Sequence, residues 1–101
     1  MANKNEELML EKRYIVYCHT NKISTKKYIG ITCQKPNKRW QNGNGYKTQP
    51  QFWRAIQKYG WDNFEHLIIA ENLTKDEAEA LEIKLIAEYK TQDKRFGYNL
   101  L

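Results

Sequence analysis

Two phenols, a guanidinium, a carboxylate and a carboxamide stand at spacings that can assemble one reacting centre: Tyr17, Tyr28, Arg39, Glu82 and Asn99. Tyr28 opens the triplet Tyr28-Ile29-Gly30 eleven residues after Tyr17, and Arg39 follows Tyr28 by a further eleven. A phenol pair can align and deprotonate a water, a planar guanidinium fits two phosphate oxygens at once, and a single carboxylate can hold a divalent cation. Such a set suits attack on a phosphodiester. Each member also has a plainer reading. Two tyrosines in a hairpin can simply fill a half-buried face, an arginine beside Trp40 can stack on its neighbour, and an asparagine in Gly97-Tyr98-Asn99 is a turn residue.

The elements that must position these groups are legible from periodicity. Residues 13–20 and 26–33 are rich in Tyr, Ile, Val and Thr, flank a polar turn over 21–25, and read as a β-hairpin. Alternation places Val16 and Cys18 on one face with Ile29, Ile31 and Cys33, which leaves Tyr17 and Tyr28 together on the other with Ile15 and His19. Pro36 opens a short helical turn carrying Arg39 and Trp40, which runs into Asn42-Gly43-Asn44-Gly45, read as a hinge or a DNA-facing turn. Residues 50–59 form a helix with Phe52, Ala55, Ile56 and Tyr59 on one stripe, stopped by Gly60. A third strand follows over 64–71, and Thr74 with Glu77 makes a capping box for a helix reaching about residue 90. The expected fold is α/β: a small three-stranded antiparallel sheet flanked by helices. Residues 1–12 read as a flexible arm or a short helix, and 13–101 as one domain, with no internal repeat.

Glu82 stands out without any comparison. On a wheel of about 100° per residue, Ala78, Leu85, Ile86 and Tyr89 fall within roughly 60° of it, whereas Asp76, Glu77 and Glu88 point away and Glu79 lies on the flank. A carboxylate in the inward stripe must be ion-paired, hydrogen-bonded or metal-bound. Periodicity alone favours a structural salt bridge.

Lysine and arginine number 17 against 12 acidic residues, a formal net charge of +5. From Lys12 to Gly60 there is no Asp or Glu. The acid-free half therefore carries a positive potential suited to a phosphate backbone, with Lys35, Lys38, Arg39, Lys47 and Arg54 as the candidate contacts. Cys18 and Cys33 belong to no metal spacing and read as buried reduced thiols, which points to a cytoplasmic setting. No segment resembles a signal peptide or a membrane span.

Tyr14-Ile15-Val16-Tyr17 followed by Tyr28-Ile29-Gly30 resembles the GIY-YIG nuclease superfamily, over about residues 14–101. Glu82-Ile83-Lys84-Leu85-Ile86 is similar to that family's glutamate-bearing helix, and Asn99 to its terminal asparagine. The resemblance implies a DNA endonuclease dependent on Mg2+ or Mn2+ that leaves 5′-phosphate and 3′-hydroxyl ends. It implies Tyr17 as general base, Tyr28 as the group aligning the water, Arg39 on the scissile phosphate, Glu82 as sole protein ligand of the metal, and Asn99 tying the site together. It further implies a phage- or mobile-element-type enzyme acting on DNA as a monomer or transient dimer, away from membranes. The chain departs from the pattern where Ile15-Val16 replaces Gly-Ile, and where Ile31 and Gly43 replace a lysine and a histidine found in some members. Lys35, Lys38 and His19 are candidates to compensate. The alternative reading is a non-catalytic nucleic-acid-binding module using the basic half.

Overall fold

The computed structural model describes residues 11–99, so the arm expected over 1–12 lies, apart from Glu11 and Lys12, outside the described residues. Strands β1 (Tyr14–Asn21) and β2 (Lys27–Thr32) form the hairpin. Helix α1 (Pro36–Trp40) leads into a 3-10 turn (Gln41–Tyr46), and α2 (Pro50–Tyr59) into a second one (Trp61–Asn63). Strand β3 (Phe64–Leu73) and helix α3 (Lys75–Tyr89) follow. The strand order is β2-β1-β3, antiparallel throughout, with β1 central. This is the expected three-stranded sheet flanked by helices.

Local chemistry explains the turns. The Asn21 side-chain carbonyl accepts from the backbone N–H groups of Ile23 and Ser24 at 2.8 and 3.1 Å, an Asx turn that reverses the hairpin. At the start of α3, Thr74 Oγ1 accepts from Glu77 N–H at 3.1 Å while Glu77 Oε1 accepts from Thr74 N–H at 3.0 Å. Reciprocal capping of this kind satisfies two otherwise orphaned donors.

The period-2 alternation sorts the sheet into two cores. Ile15, Tyr17, Tyr28, Phe64 and Ile68 pack with Tyr46 and with Phe52, Ala55 and Ile56 of α2. Tyr14, Val16, Cys18, Ile29 and Ile31 pack with Ala78, Leu81, Leu85 and Ile86 of α3. Helices α2 and α3 thus cover opposite faces. Beyond the hairpin, the chain after α3 returns along the free edge of β2: Lys27 N–H donates to Phe96 O at 3.2 Å and Tyr98 N–H donates to Lys27 O at 2.9 Å.

Three expectations are corrected. Cys18 is buried but Cys33 is exposed, because β2 ends at Thr32 and its last predicted residue no longer has a strand partner. β3 runs on to Leu73, since its pairing with β1 extends to Tyr14 opposite Leu73. Tyr89, expected on the inward stripe, is exposed at the end of α3. The Asn42–Gly45 stretch, expected as a hinge or a DNA-facing turn, lies in a tight 3-10 turn with Asn42 and Asn44 exposed. Gln41, Asn42 and Gly43 adopt positive φ (48°, 54° and 94°) and coil the chain tightly enough to bury Tyr46 completely.

Candidate active site

Tyr17 and Gly30 are direct cross-strand partners. The Tyr17 ring lies over that glycine so closely that a Cβ there would sit 2.5 Å from both Tyr17 Cζ and its hydroxyl oxygen. Gly30 is therefore required by the phenol above it, a close approach of the kind strand glycines mark. Tyr28, two residues earlier on the same face, stacks on Phe52 at 4.5 Å with the rings 4° from parallel. Both tyrosines are more enclosed than a half-buried face implies, Tyr17 at 1 % exposure and Tyr28 at 7 %.

Arg39 reaches this face from α1. Its Nη1 donates to the Gly45 carbonyl at 2.6 Å, and its guanidinium lies 4.5 Å from the centre of the Tyr46 ring. One of five donors is thereby used, and the planar fork is oriented by the ring beneath it. Gly45 has no room for a side chain because the Arg39 backbone occupies that space.

The Tyr46 hydroxyl donates to the Tyr17 oxygen at 3.0 Å and bonds His19 Nε2 at 2.7 Å. His19 Nδ1 in turn bonds His66 Nδ1 at 2.8 Å. Trp40 meets Tyr17 edge-on at 5.4 Å, and its buried indole N–H has no hydrogen-bond partner among the described residues. Neither Tyr46 nor His66 carries a signal in the sequence, and His19 enters there only as a neighbour of the tyrosines and a candidate to compensate for missing groups.

Burial pushes all three phenols above their ordinary pKa. For Tyr17 the Tyr46 hydroxyl and the Arg39 charge favour the anion and offset part of the desolvation, while Glu82 opposes them. For Tyr28 and Tyr46, charge on Tyr17 adds to the effect of burial on each. Burial, reinforced by His66 and Arg39, lowers His19 to about 2.

Glu82 comes from α3, which covers the opposite face of the sheet, and still acts electrostatically on both Tyr17 and Tyr28. Its half-buried carboxylate forms no ion pair among the described residues, whereas Glu79 is bound to Lys75 at 3.8 Å. Burial, and then the charge of Glu79, raise the Glu82 pKa. An enclosed anion with a second carboxylate nearby and no counter-charge fits a divalent cation. Among the described residues no group of three or more His, Cys, Asp or Glu could form a complete cage. One carboxylate is enough for a hard divalent cation such as magnesium, which keeps several waters and takes one or two carboxylates together with phosphate oxygens.

Asn99 touches none of these side chains. Its Nδ2 donates to Ile29 O at 2.8 Å and its Oδ1 accepts from Ile29 N–H at 2.9 Å, replacing a missing strand partner between Tyr28 and Gly30. Lys35 and Lys38 are exposed at and within α1 beside Arg39, and Lys47 is exposed just after Tyr46. Arg54 stands apart from these on α2, lining a cleft of about 260 Å3 with Lys26, Gln51, Lys94, Gly97 and Tyr98. No helix among the described residues is long and apolar enough to cross a membrane.

Comparison with known proteins places this geometry. The protein segE of Enterobacteria phage T4, named as an endonuclease, is 34% identical over 87 residues, which are 86% of this chain and 40% of the phage protein. The chain thus spans less than half the length of that relative. Two solved structures of the catalytic domain of the homing endonuclease I-TevI, one of them a glutamate-to-alanine mutant, share the fold. Each has a TM-score of 0.71 and 24% identity, and each match covers 87% of this chain, with 98% and 94% of the other covered. The profile of the GIY-YIG catalytic domain matches residues 13–99, which include the whole sheet and both flanking helices. The chain belongs to the GIY-YIG catalytic domain family.

Proposed function

We propose that this domain is a divalent-metal-dependent DNA endonuclease that hydrolyses phosphodiester bonds to 5′-phosphate and 3′-hydroxyl ends. The observation that carries the reading is the Tyr17 site: a phenol fixed over Gly30, hydrogen-bonded by Tyr46, and packed in one core with Tyr28, with the Arg39 guanidinium held over the Tyr46 ring. Tyr17 takes the proton of the attacking water, and Tyr28, on the same face, aligns it. At 1 % exposure Tyr17 is shielded from bulk solvent. The unused donors of Arg39 hold the scissile phosphate and stabilise charge developing on its oxygens. Asn99 is a positioning residue that fixes the β2 backbone between Tyr28 and Gly30. Glu82 would hold a magnesium or manganese ion, which when bound supplies Lewis-acid stabilisation of the phosphate and leaving oxygen.

Lys35, Lys38, Lys47 and Arg54 bind the nucleic-acid backbone. The endonuclease names borne by segE and I-TevI support DNA as the substrate and a phage or mobile-element setting. One active centre cuts one strand, so a monomer nicks and a double-strand break requires a transient dimer or a second visit.

The test is incubation with matched single-stranded, nicked and duplex DNA in magnesium or manganese, followed by ligation of the products. Metal-dependent cleavage to directly ligatable ends is expected. A gel shift that persists without cleavage in either metal would make the domain a non-catalytic nucleic-acid-binding module.

A further inference from the structure

We propose that Tyr46, His19 and His66 are a proton relay that carries the proton accepted at Tyr17 through the core to the β3 edge of the sheet. The relay rests on the reading of Tyr17 as general base. Tyr17 is almost sealed from solvent, so a proton delivered to it has no direct exit. Its hydrogen-bonded neighbour is Tyr46, and from there a continuous chain of three bonds, 3.0, 2.7 and 2.8 Å long, leads to His66. Tyr46 and His19 are fully buried, whereas His66 is partly exposed on an edge strand. The β1–β3 register sets His19 directly opposite His66.

The atoms permit one consistent accounting. Before transfer, Tyr17 O–H donates to Tyr46, Tyr46 O–H donates to His19 Nε2, and His19 Nδ1–H donates to His66 Nδ1. As the attacking water gives its proton to Tyr17, each of these three protons moves one bond outward. Tyr17 and Tyr46 end neutral, His19 ends neutral with its proton on Nε2, and His66 ends as the imidazolium. The water has become the hydroxide that attacks phosphorus. The structure has Tyr46 donating to Tyr17, so the relay is ready once both hydroxyls turn, Tyr17 O–H towards Tyr46 and Tyr46 O–H towards His19 Nε2. No phenolate need persist, which removes the difficulty of using a buried phenol as a base near neutral pH. His19 passes protons between its two nitrogens without ever holding a charge, as its strongly disfavoured imidazolium requires.

His66 is built as the terminal acceptor. Trp61 stacks on it at 4.1 Å, and Trp40 lies 5.6 Å away. Burial lowers its pKa, aided by the Lys22 charge, while the hydrogen bond with the Trp61 backbone and the Asp62 charge favour the imidazolium and offset part of that shift.

The test is single-turnover DNA cleavage in magnesium by wild type, His66→Ala, Tyr46→Phe and Tyr17→Phe, with and without added imidazole at constant ionic strength. His66→Ala should lose roughly 10²-fold in rate, lose the acidic limb of the pH–rate profile, and regain rate in proportion to neutral imidazole. Tyr46→Phe, which breaks the chain upstream, should fall similarly without rescue. A wild-type rate in His66→Ala or Tyr46→Phe, or a loss in His66→Ala that imidazole leaves unchanged, would overturn the relay while an inactive Tyr17→Phe left the base assignment intact. A wild-type rate in Tyr17→Phe, or no cleavage by any form, would remove the base assignment and the relay with it. Imidazole 15N shifts of the DNA-free protein supply a readout independent of cleavage, with protons expected on His19 Nδ1 and His66 Nε2, and the reverse tautomers would overturn the relay.

Discussion

Replacing Gly30 with alanine adds one methyl group and should slow the site strongly without replacing any side chain proposed to react. The new Cβ would lie 2.5 Å from Tyr17 Cζ and from its hydroxyl oxygen, and ordinary contact begins at 3.4 Å, so the ring must retreat by about 0.9 Å. Tyr17 is enclosed by Trp40 at 5.4 Å and His19 at 5.0 Å, so the displacement is resisted by packed rings rather than absorbed by solvent. Overpacking of this size costs roughly 1–3 kcal/mol, offset by roughly 0.4–1 kcal/mol from the stiffer unfolded chain. The net loss of about 1–2 kcal/mol lowers Tm by roughly 4–16 °C in a domain of this size. Activity should fall further, by roughly 10²-fold, because a displacement near 1 Å also breaks the 3.0 Å bond from Tyr46. Thermal melting by circular dichroism, single-turnover cleavage and DNA binding by gel shift separate these effects, with affinity expected to stay near wild type. A Gly30→Ala protein that melts within about 2 °C of wild type and cuts at full rate would refute the close packing of Tyr17 and the positioning argument built on it.

Glu82→Ala should abolish cleavage while leaving melting and DNA affinity near wild type, because its carboxylate lacks an ion pair and sits beside Glu79; Glu79→Ala should retain activity, and equal losses in both would remove the ligand assignment. His19 falls from 6.5 to about 2 on folding, so the unfolded chain binds that proton first. Its contribution to stability is complete above pH 6.5 and is lost progressively as pH falls towards 2, a slope that urea melts should detect and that His19→Phe should flatten. Replacing Lys35 and Lys38 together should reduce the slope of log K against log salt by roughly one to two units, whereas replacing Lys84 and Lys90 should leave it unchanged; the reverse result would put the DNA on the other face.

The parts of the fold that follow local rules were legible in the sequence. Strand alternation alone brings Tyr17 and Tyr28 to one face, and the Thr74–Glu77 box marks the start of α3. Tyr46 was not legible. It follows a glycine-rich stretch with no periodicity, and its burial depends on three consecutive residues at positive φ that return it to a strand 29 positions earlier. The His19–His66 pair depends on a register spanning 47 residues, shifted by an irregularity near Val16, and no local pattern encodes that offset. Helical periodicity correctly turned Glu82 towards the sheet but could not tell which face α3 covers, and that proves to be the one opposite the tyrosines. The Asn99 clamp likewise requires the chain after α3 to run along β2, which only the tertiary structure reveals.

Single-turnover cleavage of duplex DNA in magnesium by Tyr17→Phe, beside wild type and the opposite-face control Tyr14→Phe, tests the central claim most directly. The substitution keeps the ring over Gly30 and removes only the oxygen that receives the proton. A fall of roughly 10²-fold or more, with unchanged affinity and melting and with Tyr14→Phe at the wild-type rate, is the expected result. Substantial cleavage by Tyr17→Phe would contradict it and move the base to another group.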